Sequence, residues 1–303
     1  MLNAKDAVLR AKKNHTVIPA FNIPYLPMVK PIVQAVAETN SIAMIQVARV
    51  EWEKFGSKSL EDVAQEYQKY KSEKHTLLHL DHVPVIDEDL KYVDYVPILK
   101  RAVSAGYQSI MIDASRLNLA DNIEATKEAV QVAHEAGIPC EGELGAVFGH
   151  ENGPQISYSE IFTTKKGFTD LEEANKFVLG SDCDWLSVAV GNIHGAVAEV
   201  TRDQKKPEAR LDIEHIGAIS ETTKIPLVLH GGSGINIEFI RQGIKAGIAK
   251  INIGTEIRQA YEEAYETSGH DMEKARDETY MAVLNIINNM LDIKSSRTLL
   301  YGD

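Results

Sequence analysis

Short apolar runs rich in branched residues alternate along the chain with stretches of helical periodicity, and no linker interrupts the alternation. Thr16 to Ile23, Ile42 to Ala48, Thr76 to His82, Ser109 to Asp113, Pro139 to Gly145, Trp185 to Asn192, Pro226 to Gly232 and Ile248 to Thr255 read as strands. Between them, Met28 to Glu38, Leu60 to Tyr70, Val93 to Ser104, Ile123 to Glu135, Leu171 to Leu179, Ile213 to Glu221 and Ile237 to Ala246 read as helices. Ala105-Gly106, Ala136-Gly137 and Ala246-Gly247 put glycine where a helix takes a left-handed residue before the next strand. Roughly eight such units match an α/β fold of the (β/α)8 TIM-barrel type, expected to run as one domain over residues 1–303. More helical sequence, Met272 to Leu291, adds a C-terminal helical element that could cover the barrel or form an oligomer contact. A doubly wound open sheet shares the alternation, but Asn22-Ile23-Pro24-Tyr25 after the first strand is not a glycine-rich dinucleotide turn.

The composition, 44% hydrophobic and 25% charged, is that of a globular chain with a sizeable core. A net charge of -12 argues against general nucleic-acid binding, which needs lysine and arginine along phosphates. No apolar run approaches the roughly 18 residues of a membrane span, and Met1 to Ala7 enters an amphipathic pattern, not a secretory one. The expected location is cytoplasmic. Cys140 and Cys183 are too few for a disulfide framework and too far apart for a paired metal knuckle.

The strand ends are polar, with Asn22, Gln46, Asp81, His82, Asp113, Glu143, Asn192, His230 and Asn252 near them. Any one of these could simply cap a strand or satisfy a core polar group, but barrel active sites occupy this face. His82, His194 and His230 fall where strands run out, and three neutral imidazoles with an open fourth position suit a catalytic zinc. The other histidines, among them His79, His134, His150 and His215, are read as packing or surface residues. Period two would point Asp81 and His82 to opposite faces, so both enter the site only if the strand ends between them. Gly231-Gly232-Ser233-Gly234 and Asn252-Ile253-Gly254-Thr255 follow the last two strands, where barrels often hold phosphate. The sixth strand carries no lysine for a Schiff base, and Lys250 lies inside the eighth strand instead of at its mouth.

Across nearly its whole length the chain resembles the class II, metal-dependent ketose-bisphosphate aldolases, which include the fructose- and tagatose-bisphosphate enzymes. The resemblance rests on Pro19-Ala20-Phe21-Asn22, His79-Leu80-Asp81-His82, Ser109-Ile110-Met111-Ile112-Asp113, Glu141-Gly142-Glu143-Leu144-Gly145, Asn192-Ile193-His194-Gly195, His230-Gly231-Gly232-Ser233-Gly234 and Lys250-Ile251-Asn252-Ile253-Gly254-Thr255-Glu256. It implies cleavage of a ketose 1,6-bisphosphate to dihydroxyacetone phosphate and glyceraldehyde 3-phosphate through a zinc-stabilised enediolate. It also implies Zn2+ on His82, His194 and His230, with Glu143 as a supporting or alternative contact. Asp81 would exchange the proton on the oxygen that becomes the aldehyde, and Glu151 of a mobile loop would handle the carbon-bound proton. Asn252 would contact the enediolate. Asn22, Gly195, Gly232, Ser233 and Thr255 would bind substrate and its phosphate, and Arg258 the distal phosphate. A monovalent cation, Na+ or K+, near the phosphate and a homodimer or homotetramer are further implications.

Residues 83–92 and 154–168 are longer than the family pattern, and Gly254 stands where fructose-type members carry aspartate. Glycine removes a directional partner for one hydroxyl configuration, which predicts relaxed or tagatose-leaning choice. Two other readings stay open: an aldolase for another phosphorylated ketose, and a non-catalytic barrel that stabilises an aldolase subunit.

Overall fold

The computed structural model describes residues 2–145, 158–192, 210–232 and 234–302. Eight parallel strands close into a barrel in chain order: β1 (Ile18–Asn22), β2 (Ala43–Val47), β3 (Thr76–Pro84), β4 (Ser109–Asp113), β5 (Cys140–Leu144), β6 (Trp185–Val188), β7 (Leu227–Leu229) and β8 (Ile248–Ile253). β1 pairs with both β2 and β8, so no strand edge is left open. The helices are α1 (Ala4–Lys13), α2 (Val29–Glu38), α3 (Arg49–Lys54), α4 (Leu60–Tyr70), α5 (Tyr95–Ala105), α6 (Leu119–Glu135), α7 (Tyr158–Thr164), α8 (Leu171–Ser181), α9 (Ile213–Thr223), α10 (Ile237–Ala246), α11 (Thr255–Thr267), α12 (Met272–Asn285) and α13 (Ser296–Tyr301).

Most differences from the sequence pattern have a local cause. α6 starts at Leu119 because the Asn118 side chain accepts the Asp121 N–H and caps the helix. Gly106, Gly137 and Gly247 have φ of 91°, 71° and 137°, as the Ala-Gly pairs predict. β6 and β7 end sooner than their apolar runs suggest, so Asn192 and His230 lie beyond the last strand residues. Part of the stretch 154–168 is helical, as α7, and the short helix α3 follows β2 without a strong pattern of its own. The C-terminal run is α12 followed by a π-helical turn, Ile286–Met290.

The apolar residues form two bodies. An outer layer fills the space between barrel and helices, with Phe21, Ile45, Leu80, Ile112, Phe177 and Ile253 among its members. A second cluster sits at the N-terminal ends of the strands, where Ile18, Met44, Leu77, Trp185 and Val228 meet Ala4, Ala7, Val8 and Ala11 of α1. That helix shows the barrel every third or fourth residue, all apolar. Burying each large side chain of this floor contributes about 1.5–3 kcal/mol.

β3 corrects the expectation that the strand must end between Asp81 and His82. The strand continues to Pro84, but its register against β4 slips: Leu80 faces Ile110, and the next partners are Val83 and Ile112. One extra residue on β3 makes a β-bulge, which resets the alternation and re-aims side chains.

Candidate functional site

Asp81 is buried at the centre of the upper barrel under three amide donors from three strands. Oδ2 accepts from Asn22 Nδ2 at 2.9 Å and from Gln46 Nε2 at 3.1 Å, and Oδ1 accepts from Asn252 Nδ2 at 2.9 Å. Gln46 Nε2 also donates to Asn22 Oδ1 at 2.8 Å, which fixes the Asn22 amide. Burial alone would raise the Asp81 pKa, but the charge on His82, with His230 and Lys250, outweighs it and holds the group at about 2. The carboxylate is therefore ionised and oriented at neutral pH.

The bulge places His82 beside Asp81, and its ring centroid lies 4.5 Å from that of His230. One donor atom each from Asp81, His82 and His230 lies within 4.8 Å of the others, and the same holds for His82, Asp113 and Glu143. His82 Nδ1 is 3.3 Å from Asp113 Oδ2, and Asp113 in turn accepts from the backbone and hydroxyl of Ser115. Burial disfavours charge on His82, but Asp81 and Asp113 prevail and raise it to about 10. Glu143 Oε2 lies 3.4 Å from His230 Nδ1 and 3.8 Å from His82 Nδ1, is buried, and has no hydrogen-bond partner among the described residues. Burial first and the Asp113 charge second push Glu143 well above the carboxylate range. Two imidazoles beside a carboxyl oxygen that has no donor among the described residues fit a divalent cation.

Glu141 is a functional candidate that pattern reading passed over, and its partner is Lys250, which the sequence offers only as a rival Schiff-base lysine. Glu141 Oε1 accepts from His230 Nε2 at 2.8 Å, and Oε2 takes Trp185 Nε1 at 2.6 Å and Lys250 Nζ at 2.9 Å. Although burial opposes ionisation, Lys250 and His230 keep Glu141 well below the usual carboxylate range. The signal was period two: Glu141 stands two residues before Glu143 and Lys250 two before Asn252, so each shares the inward face of its neighbour. His79 is a packing residue of the barrel core, as read from the sequence. It faces the barrel interior, fully buried, with Nδ1 2.8 Å from Ser109 Oγ and Nε2 3.7 Å from Glu141 Oε2. Burial and the Lys250 charge lower it to about 3. His134 and His215 lie on helices as expected, against Asp184 and the Thr169 carbonyl.

Glu51 was not anticipated either. It sits in the first turn of α3, where Oε2 accepts the Ala48 N–H at 2.7 Å and lies 3.4 Å from Asn22 Nδ2. Burial dominates and raises it to about 8.

On the phosphate side, β7 and β8 are neighbours, which brings Gly232 and Thr255 to one edge of the mouth. A Cβ on Gly232 would meet Ile251 Cδ1 at 2.8 Å, so a larger residue there would have to displace the Ile251 side chain. Thr255 is the first residue of α11, and Arg258 one turn later is paired with Glu262 at 2.6 Å and lies over the Phe55 ring. Lys250 is inside the barrel, with no exposed surface. His194, Gly195, Glu151 and Ser233, with His150, lie outside the described residues.

The chain matches the family Fructose-bisphosphate aldolase class-II over residues 2–297. It is 38% identical over 201 residues to a 6-phospho-5-dehydro-2-deoxy-D-gluconate aldolase from Shouchella clausii, an alignment that covers 66% of this chain and 59% of the relative. Among solved structures, the YdjI aldolase from Escherichia coli K12 shares 27% identity and superposes with a TM-score of 0.77, covering 98% of this chain and 100% of that one. A fructose-bisphosphate aldolase from Campylobacter jejuni, at 17% identity, shares the fold with a TM-score of 0.72 over 97% of this chain and 96% of its own. No helix among the described residues is long and apolar enough to cross a membrane. With a closed (β/α)8 barrel and a family match along almost all its length, the chain belongs to the class II fructose-bisphosphate aldolases, a family of metal-dependent enzymes.

Proposed function

We propose that this chain is a metal-dependent aldolase that reversibly cleaves a phosphorylated ketose into dihydroxyacetone phosphate and an aldehyde. The observation that carries the reading is an ionised Asp81, fixed by three amides, directly beside His82, His230 and a Glu143 oxygen with no donor among the described residues. A divalent cation, zinc by the chemistry of these donors, on His82, His230 and His194 with Glu143 in reserve, would supply the Lewis acidity that draws electron density toward the ketone oxygen. Asp81 takes the proton from the hydroxyl that becomes the aldehyde as the carbon–carbon bond breaks, and returns it in synthesis. Asn22, Gln46 and Asn252 hold that carboxylate in place, and Asn252 would also contact the enediolate. Glu151 exchanges the proton at carbon. Gly195, Gly232, Ser233 and Thr255 hold the phosphate next to the ketone, with a monovalent cation beside it.

Fructose or tagatose 1,6-bisphosphate would yield glyceraldehyde 3-phosphate as the aldehyde, and Arg258 would have to exchange Glu262 for the distal phosphate. A second substrate follows from the Shouchella relative, 38% identical. In 6-phospho-5-dehydro-2-deoxygluconate the ketone again neighbours a phosphate-bearing carbon, so cleavage releases the same dihydroxyacetone phosphate beside a short aldehyde acid. We further propose a cytoplasmic homodimer or homotetramer. The test is release of dihydroxyacetone phosphate from all three substrates side by side, with and without chelator. Metal-dependent release from at least one is expected. No release from any by zinc-loaded protein would favour the non-catalytic subunit instead.

A further inference from the structure

Lys250 has no part in the steps above, yet it joins two hydrogen-bond chains that end on the two halves of the site. Its ammonium donates to Asn252 Oδ1 at 2.7 Å and lies 2.9 Å from Glu141 Oε2, with all three side chains buried. An ammonium donates and never accepts. Its contact with Oδ1 therefore turns the Asn252 amide so that Nδ2 faces Asp81, to whose Oδ1 it donates at 2.9 Å. In the other direction, Glu141 is anchored through Oε2 by Lys250 and Trp185, which leaves Oε1 to receive His230 Nε2 at 2.8 Å. A ring that carries its hydrogen on Nε2 presents the Nδ1 lone pair, and that atom lies 3.4 Å from Glu143 Oε2.

We propose that Lys250 is a positioning residue that sets the polarity of both chains at once: Asn252 donating to the base Asp81, and His230 presenting Nδ1 to a cation. The proposal rests on the reading of Asp81 as base and His230 as ligand. It is distinct from any covalent role, since a lysine held by a carboxylate and an amide, with no exposed surface, is not presented to a substrate carbonyl.

Two double-mutant cycles test it, with zinc affinity read by chelator competition without substrate and kcat read at saturating zinc. Lys250→Met is expected to weaken zinc binding about 10- to 100-fold, the usual effect of losing an orienting partner, and to lower kcat by about tenfold or more. In a Glu141→Gln background the same change should cost no further zinc affinity but still lower kcat. In an Asn252→Ala background it should cost no further kcat but still weaken zinc binding. A residue that merely fills space would give losses that add in both backgrounds, and that pattern would overturn the proposal. So would a Lys250→Met protein within about twofold of the parent in both readouts. Where Lys250→Met alone fails to fold because it strands the Glu141 charge, the double variant Lys250→Met with Glu141→Gln removes both charges. It should then match Glu141→Gln in zinc affinity and fall below it in kcat; equality in kcat would refute the Asn252 arm. The zinc readout needs no substrate, so it still decides on Lys250 if none of the three sugars is cleaved.

Discussion

The two ends of the barrel are built from the same strands and solve opposite problems. At the floor, Ile18, Met44, Leu77, Trp185 and Val228 are sealed by α1 into a dry apolar body. Two or four residues further along the chain from Ile18, Met44, Leu77 and Val228, on the strands or just past them, stand Asn22, Gln46, Asp81 and His230. The floor gains stability from burial. The mouth gives some of it up, gathering buried carboxylates, imidazoles and a lysine whose charges must compensate one another. The contrast teaches that a parallel barrel lets one strand serve both ends, because each inward position is only two residues from the next.

The sharpest way to break the comparison is at the mouth. Asp81→Asn should lower kcat by about 10²–10⁴-fold, the usual range for a general base, with little change in zinc content. An amide there would also set its own N–H groups against at least one of the three donors. Turnover and metal analysis on the same preparation check this, and near-normal turnover would remove Asp81 from the proton transfer. At the floor the outcome should reverse. Leu77→Ala should cost about 2–5 kcal/mol of stability, seen as a lower denaturant midpoint, while kcat per folded molecule stays near the parent value. A large loss of kcat there would mean that the two ends are mechanically coupled.

Glu51 separates the ends by pH. Its folded-state pKa is about 8 against an ordinary 4.5, so the folded protein keeps a proton that the unfolded chain releases. Stability should therefore fall as pH rises between those values, by at most about 1.4 kcal/mol per pH unit from this group. Glu51→Gln keeps an acceptor for the Ala48 N–H and should flatten that slope in metal-free protein; an unchanged slope would show that Glu51 is ionised when folded. The smallest effect is expected at Gly254, where a Cβ would sit 3.3 Å from Asn22 Cβ and Oδ1. Gly254→Asp should shift the fructose-to-tagatose ratio of kcat/KM by about 1 kcal/mol toward fructose, and slow both sugars slightly by nudging Asn22. An unmoved ratio would show that position 254 does not choose the sugar.

Taken alone, the sequence determined the barrel and most of what lines its mouth. Strand and helix periodicities are local, so eight alternating units, their glycine stops and the polar strand ends could be read residue by residue, including Asp81, His82, His230 and Asn252. Tertiary structure alone decided how Asp81 and His82 both reach the centre, because a β-bulge depends on the register of β3 against β4 and leaves no mark in the pattern of β3. It also decided that Glu141, His79 and Lys250 form a buried polar layer beneath the site. Those facts come from contacts between distant strands and from the balance of burial against charge, which exist only once the barrel has closed.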